Sequence, residues 1–159
     1  MLIVNPFGGT RQGLAILDQV KPVFSGAGIE VDVRTTECAG DARQIARTLP
    51  LDCYGNLCVV GGDGTVHEVV SGLIEGGQSA SIPLGIIPAG TGNDVARQFG
   101  IASPLDAAGR IIAGRTSPFD VMKVDAGGET DYCVTLVGWT GVADINATAA
   151  RLRSLGWLR

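Results

Sequence analysis

Residues 59–72 read VVGGDGTVHEVVSG, and this stretch decides the fold. An apolar run, Leu57 to Val60, enters a turn holding three glycines and one carboxylate, and the chain leaves it with helical spacing at Val66, Val69, Val70 and Leu73. The pattern predicts a strand, a tight turn and a helix. Gly61, Gly62 and Gly64 allow positive φ and remove the Cβ atoms that would hold a ligand away, so backbone N–H groups at the helix N-terminus can face an anion such as phosphate. A carboxylate at Asp63 would be repelled there unless it holds a metal ion or takes a proton from an attacking hydroxyl. The turn therefore points to phosphoryl transfer more than to simple phosphate binding.

Two junctions of the same kind flank it. Upstream, residues 2–4 form a short strand that enters Asn5-Pro-Phe-Gly-Gly-Thr10, where Pro6 fixes φ and Gly8 and Gly9 free the backbone. The helix that follows, over about 12–25, should bury Leu14, Ile16, Leu17, Val20 and Phe24. Residues 29–35 alternate as IEVDVRT, which suits an edge strand, and lead through Thr36, Glu37 and Gly40 to a helix over 41–49. Downstream, residues 82–88 are apolar on both sides, as a central strand would be, and open into Ala89-Gly-Thr-Gly-Asn-Asp94. Asn93 or Asp94 can cap a short helix through Gln98, and Pro104 starts another over 105–113. Four strand-to-helix units in succession predict an α/β, Rossmann-like three-layer domain with a mostly parallel sheet over residues 1–116.

From Ser117 the texture changes. Residues 119–124 and 132–137 alternate with period two around Ala126-Gly-Gly-Glu129, the signal of a β-hairpin, and a helix is expected over about 146–153. Residues 117–159 thus read as the beginning of a second, antiparallel β-rich domain. Two strands are too few for an independent β domain, so the expectation is a truncated fragment or an incomplete gene product.

Composition narrows the function classes. Of 159 residues 45% are hydrophobic, 18% are charged and 24 are glycine, which suits a well-buried domain rich in functional turns. The net charge of −4 and the scattering of 12 Lys and Arg leave no basic footprint for nucleic acid. No apolar run reaches the roughly 18–20 residues of a membrane span, and no signal segment is evident, so a cytoplasmic protein is expected, with at most peripheral, transient membrane contact. Cys38, Cys53, Cys58 and Cys133 form no C-x-x-C pair and there is one His, so zinc spacing is absent and reduced, mostly buried thiols are expected.

In an open parallel sheet, ligands bind outside the carboxyl ends of the strands. The three glycine turns should therefore converge on one crevice, lined by N–H groups, the hydroxyls of Thr10, Thr65 and Thr91 and the amides of Asn5 and Asn93. That is a polyphosphate pocket. No Walker A loop occurs and no Lys lies in the turns, so charge compensation falls to magnesium, backbone dipoles and arginines placed elsewhere. Some of these residues have simpler uses: Asn93 and Asp94 as caps, Glu68 as a carboxylate favoured by the helix dipole, and Trp139 and Trp157 as packed side chains.

Asn5-Pro-x-Gly-Gly, Gly61-Gly-Asp-Gly-Thr65 with Glu68, and Pro88-x-Gly-Thr-Gly-Asn-Asp-x-Ala-Arg97 together resemble the diacylglycerol kinase catalytic domain, a family of lipid kinases that includes diacylglycerol, sphingosine and ceramide kinases. The resemblance spans nearly the whole chain and is nearest the sphingosine and ceramide kinase branch. It implies ATP at the turns, magnesium, and transfer of the γ-phosphoryl group to a lipid hydroxyl, on a sphingoid base, ceramide or diacylglycerol. By the same resemblance Asn5, Pro6, Gly8, Gly9, Thr10, Thr36, Gly61, Gly62, Gly64, Thr65, Glu68, Gly90, Thr91 and Asn93 fall in the nucleotide-binding motifs. Asp63 matches the acid that sphingosine kinases are thought to use as general base, while bacterial relatives place the base in a later motif and leave Asp63 to the metal. The family's usual Asn is Ser71 here. Residues 138–159 resemble the segment that joins substrate to nucleotide, with Arg153 and Arg159 as phosphate-binding arginines. Asn146 stands where a sphingosine kinase has an Asp for the lipid's polar head, and Asp144 is placed to share that task.

An NAD kinase or phosphofructokinase relative would share the GGDG turn, but the Asn5-Pro turn and the Arg-rich tail suit lipid kinases better. A noncatalytic nucleotide-binding module is the reading from a different class.

Overall fold

In β3, Leu57–Gly61, every residue is buried, and the run alternates its side chains between two cores. Leu57 and Val59 join Ile3, Ala42, Ala46, Val66, Val69 and Leu73 on one face. Cys58 and Val60 join Leu2, Val4, Ile16, Val20, Phe24, Ile87 and Ala108 on the other. Alternation with apolar residues at both parities is what a strand needs when helices cover both faces of its sheet. The computed structural model, which describes residues 1–9, 11–79 and 82–136, shows the expected three layers.

The elements run β1 Leu2–Val4, α1 Gly13–Gly26, β2 Val33–Thr35, α2 Asp41–Thr48, β3, α3 Asp63–Glu75, β4 Leu84–Pro88, α4 Asp94–Gln98, α5 Pro104–Ile112, β5 Met122–Ala126 and β6 Glu129–Cys133. The first four strands form one parallel sheet in the order β2-β1-β3-β4. β5 and β6 pair antiparallel across Gly127 and Gly128 as a separate two-stranded sheet. The hairpin leans on the first core through Val134 and ties to it where Asp131 lies 3.5 Å from His67 Nε2 and 3.6 Å from Arg43 Nη2.

Several expectations need correction. β2 is an edge strand as predicted but covers only Val33–Thr35, because its partner β1 offers three residues, Leu2↔Val33 to Val4↔Thr35. β4 is not central: among the described residues it is the outer strand beyond β3. Its apolar character comes from packing on both faces, Ile86 on the first core and Ile87 on the second. Leu14 is 49% exposed, whereas Ile16, Val20 and Phe24 are buried. Of the cysteines only Cys58 is buried, where burial pushes its thiol up to about 11, and Cys38 and Cys53 are exposed. The helix expected over 146–153 lies outside the described residues.

Candidate active site

Because β1 to β4 are parallel, the segments that follow them leave from one edge of the sheet. Hydrogen bonds carry the ladder past the strand ends: Asn5 N–H donates to Val60 O at 2.9 Å, Thr36 N–H to Val4 O at 2.9 Å, and Ala89 N–H to Gly61 O at 2.9 Å. The three glycine turns and the loop after β2 are thereby held side by side around a crevice of about 570 Å³, within the range of small-ligand sites. Of the residues singled out in the sequence, Asn5, Gly8, Gly9, Thr36, Gly62, Asp63, Gly64, Thr65, Glu68, Gly90 and Thr91 line it. Pro6, Gly61 and Asn93 are not among the lining residues. Thr10, Arg153, Arg159, Asp144 and Asn146 lie outside the described residues.

The turns pack on one another through their glycines. A Cβ on Gly90 would sit 2.5 Å from Gly62 Cα, and one on Gly9, itself at φ +50°, would sit 3.1 Å from Gly90 Cα. Both distances are closer than a side chain tolerates without movement, so these glycines build the site whether or not a ligand is bound. Gly64 differs. A Cβ there meets nothing within 4 Å, its φ is not positive, and it sits in the first turn of α3, where Ala would serve the helix better.

Polar side chains lace the turns together. Asn5 Nδ2 donates to Thr65 Oγ1 at 2.9 Å, while Asn5 Oδ1 accepts from Phe7 N–H at 2.9 Å. Asp63 Oδ1 accepts from Val95 N–H at 3.0 Å, so the carboxylate at the start of α3 satisfies a free donor at the start of α4. Neither Asn93 nor Asp94 makes the cap expected of them. Asn93, in left-handed backbone at φ +54°, instead clasps Gly90, accepting from its N–H at 2.8 Å and donating to its O at 2.7 Å. Glu68 Oε1 accepts from Gly40 N–H at 3.0 Å and so holds the loop after β2 as a wall of the crevice. The N-terminus of α3 has no side-chain cap, which leaves its first N–H groups open to an anion.

The lining carries the carboxylates of Glu37, Asp63 and Glu68 and no Lys or Arg among the described residues. A polyanion held there needs a cation or arginines from elsewhere. Among the described residues no cluster of three or more His, Cys, Asp or Glu could hold a metal alone. Yet Asp63 and Asp94 both approach Gly92, whose Cβ position lies 3.0 Å from Asp63 Oδ2 and 3.6 Å from Asp94 Oδ2. Asp94 is already paired with Arg97; magnesium, which takes one or two carboxylates and completes its shell with phosphate oxygens and water, could be held by this pair if phosphates lay beside it.

The sequence reading placed Phe7 and Gly92 within the converging turns without singling them out, and it left out Glu37, Cys38 and Ala39, which also line the crevice. The rule that ligands sit beyond the strand ends would have reached residues 37–39, since they follow β2 directly. A larger apolar groove of about 1030 Å³, beside β4 and walled by Ile74, Ile86, Phe99, Ile111 and Phe119, lacks the glycine turns. We place the chemistry in the smaller, polar crevice for that reason.

Residues 1–124 match the family described as the diacylglycerol kinase catalytic domain. The chain is 33% identical to sphingosine kinase 1 of Arabidopsis thaliana over 168 residues, which covers 100% of this chain and 35% of that protein. It is 37% identical to the diacylglycerol kinase of Bacillus subtilis, over 86% of this chain and 44% of that protein, and 32% identical to human ceramide kinase, over 100% and 33%. A crystal structure of a diacylglycerol kinase from Bacillus anthracis superposes with a TM-score of 0.66 at 33% identity, covering 81% of this chain and 46% of that one. The chain thus spans about a third to a half of the length of these relatives.

Proposed function

The chain belongs to the diacylglycerol kinase catalytic domain family, and on that premise we propose that it is the nucleotide-binding part of an ATP-dependent lipid kinase. The observation that carries this reading is the open N-terminus of α3, where Gly64 is a glycine that neither packing nor backbone conformation requires. A ligand close to the backbone explains it, and the surrounding turns make that ligand a polyphosphate.

On this reading ATP lies across the three turns with its phosphates against the first N–H groups of α3. Thr65 and Asn5, bonded to each other, fix the spacing between the first and second turns. Magnesium, held by Asp63 and Asp94, would neutralise charge on the phosphates during transfer. Asp63 has a second duty, since its other oxygen anchors Val95 and with it the third turn. The lipid, a sphingoid base, ceramide or diacylglycerol, supplies the accepting hydroxyl, and the family resemblance assigns Asp144 and Asn146 to its polar head and Arg153 and Arg159 to the phosphates.

Incubating the intact protein with labelled ATP, magnesium and, separately, sphingosine, ceramide, diacylglycerol or NAD tests the proposal. Label should pass to one of the lipids, and Asp63→Asn should lower that transfer at least a hundredfold while its melting temperature is kept, because the Asn oxygen still accepts from Val95. Label on NAD, or on no acceptor, would remove the lipid kinase reading, and wild-type turnover by Asp63→Asn would remove Asp63 from the chemistry.

A further inference from the structure

The chain has four phenylalanines, and three are packed. Phe24 is 2% exposed in the second core, and Phe99 and Phe119 face each other with ring centroids 5.4 Å apart. Phe7 is 64% exposed and lines the crevice, the one aromatic residue among its described lining residues. Nor is it loosely held. Its N–H is bound by Asn5 Oδ1, Asn5 is bound in turn to the buried Thr65, and Pro6 fixes the intervening backbone. The first turn therefore fixes the Phe7 backbone at the lining of the crevice and leaves its side chain mostly in water, which an unliganded protein gains nothing from.

A nucleoside triphosphate has one part that wants such a surface. Its phosphates suit the glycine turns, its ribose suits hydroxyls and carboxylates, and its base is a flat apolar face that stacks on aromatic rings. The other lining residues are glycines, threonines, an asparagine, carboxylates, Cys38 and Ala39. We propose that Phe7 is the stacking platform for the base of the bound nucleotide. The inference rests on the reading of the crevice as a nucleotide site and adds the residue that recognises the base. Because every base has a π-face, Phe7 supplies affinity for nucleosides over bare polyphosphate and does not choose between adenine and guanine.

The test is a set of calorimetric titrations of the intact protein, wild type and Phe7→Ala, with ATP, GTP and inorganic tripolyphosphate in magnesium buffer. Phe7→Ala should weaken ATP about tenfold, weaken GTP by a similar factor and leave tripolyphosphate unchanged, the size expected for loss of one base-stacking contact. Phe7→Tyr should restore nucleotide binding, and Phe7→Leu, apolar but not aromatic, should restore it only in part. Equal loss of ATP and tripolyphosphate would overturn the proposal by making Phe7 a support for the turn. Unchanged ATP binding would also overturn it, and if the Michaelis constant for lipid then rises, the ring belongs to the lipid side. A wild-type protein that binds none of the three ligands would defeat the nucleotide reading itself; one that binds ATP but ignores Phe7→Ala would defeat this inference alone.

Discussion

At the level of single residues, the glycines of the crevice divide into two kinds that the sequence does not separate. All three turns are legible in the chain, because each glycine cluster follows an apolar run and precedes helical spacing. What the sequence hides is why each position lacks a side chain. Gly62 and Gly90 touch across the second and third turns, so substitution there should damage the fold: Gly90→Ala puts a Cβ 2.5 Å from Gly62 Cα and 2.9 Å from Asn93 Oδ1. The overpacking should cost about 1–3 kcal/mol, read as a lowered midpoint in denaturant with an unchanged slope. An unaltered midpoint would mean that the turns are free to move apart. Asn93 was equally opaque in sequence, since a helix cap and a clasp on Gly90 call for the same short amide.

At the level of elements, helix positions were readable from periodicity, whereas strand lengths depended on partners that lie far away in sequence. Residues 29–32 continue the alternation of β2, yet in the parallel register the first residue of β1, Leu2, already lies opposite Val33, so β1 places no strand residue opposite them. The start of α5 shows a local signal that the sequence reading passed over. Ser103 Oγ accepts from Asp106 N–H at 3.1 Å while Asp106 Oδ2 accepts from Ala102 N–H at 2.9 Å, a reciprocal cap one residue wider than the usual box. Arg110 then bonds Asp106 and the carbonyls of Phe99 and Gly100, closing α5 onto the end of α4. The Ala102 N–H and the Arg110 guanidinium hold the Asp106 carboxyl below the usual carboxylate range. The folded state thus favours the ionised form, and Asp106 contributes in full at neutral pH and loses its contribution as pH falls through that lowered value. Asp106→Asn should therefore lower the melting temperature at pH 7, and the gap from wild type should close in acid, below the ordinary aspartate value of about 3.9. A gap that persists at pH 2 would assign the effect to packing instead of charge.

At the level of the whole molecule, the parallel sheet brings segments from four separate parts of the chain to one edge. That arrangement makes the crevice legible from sequence once the strands are placed, since the rule for open sheets points to the edge beyond the strand ends without any knowledge of side-chain contacts. It does not reveal the cross-links, Asn5 to Thr65, Asp63 to Val95 and Glu68 to Gly40, which join residues 28 to 60 positions apart. No described helix is long and apolar enough to cross a membrane, and the acidic composition offers no broad basic surface to anionic lipid. A crevice that holds nucleotide phosphates against α3 should be sensitive to a side chain at Gly64. Calorimetric titration of ATP with magnesium should show binding to the wild type and at least tenfold weaker binding to Gly64→Ala, while the variant melts no lower, because Ala favours a helix over Gly by up to about 1 kcal/mol. ATP binding equal to wild type in a stably folded Gly64→Ala protein would contradict the account.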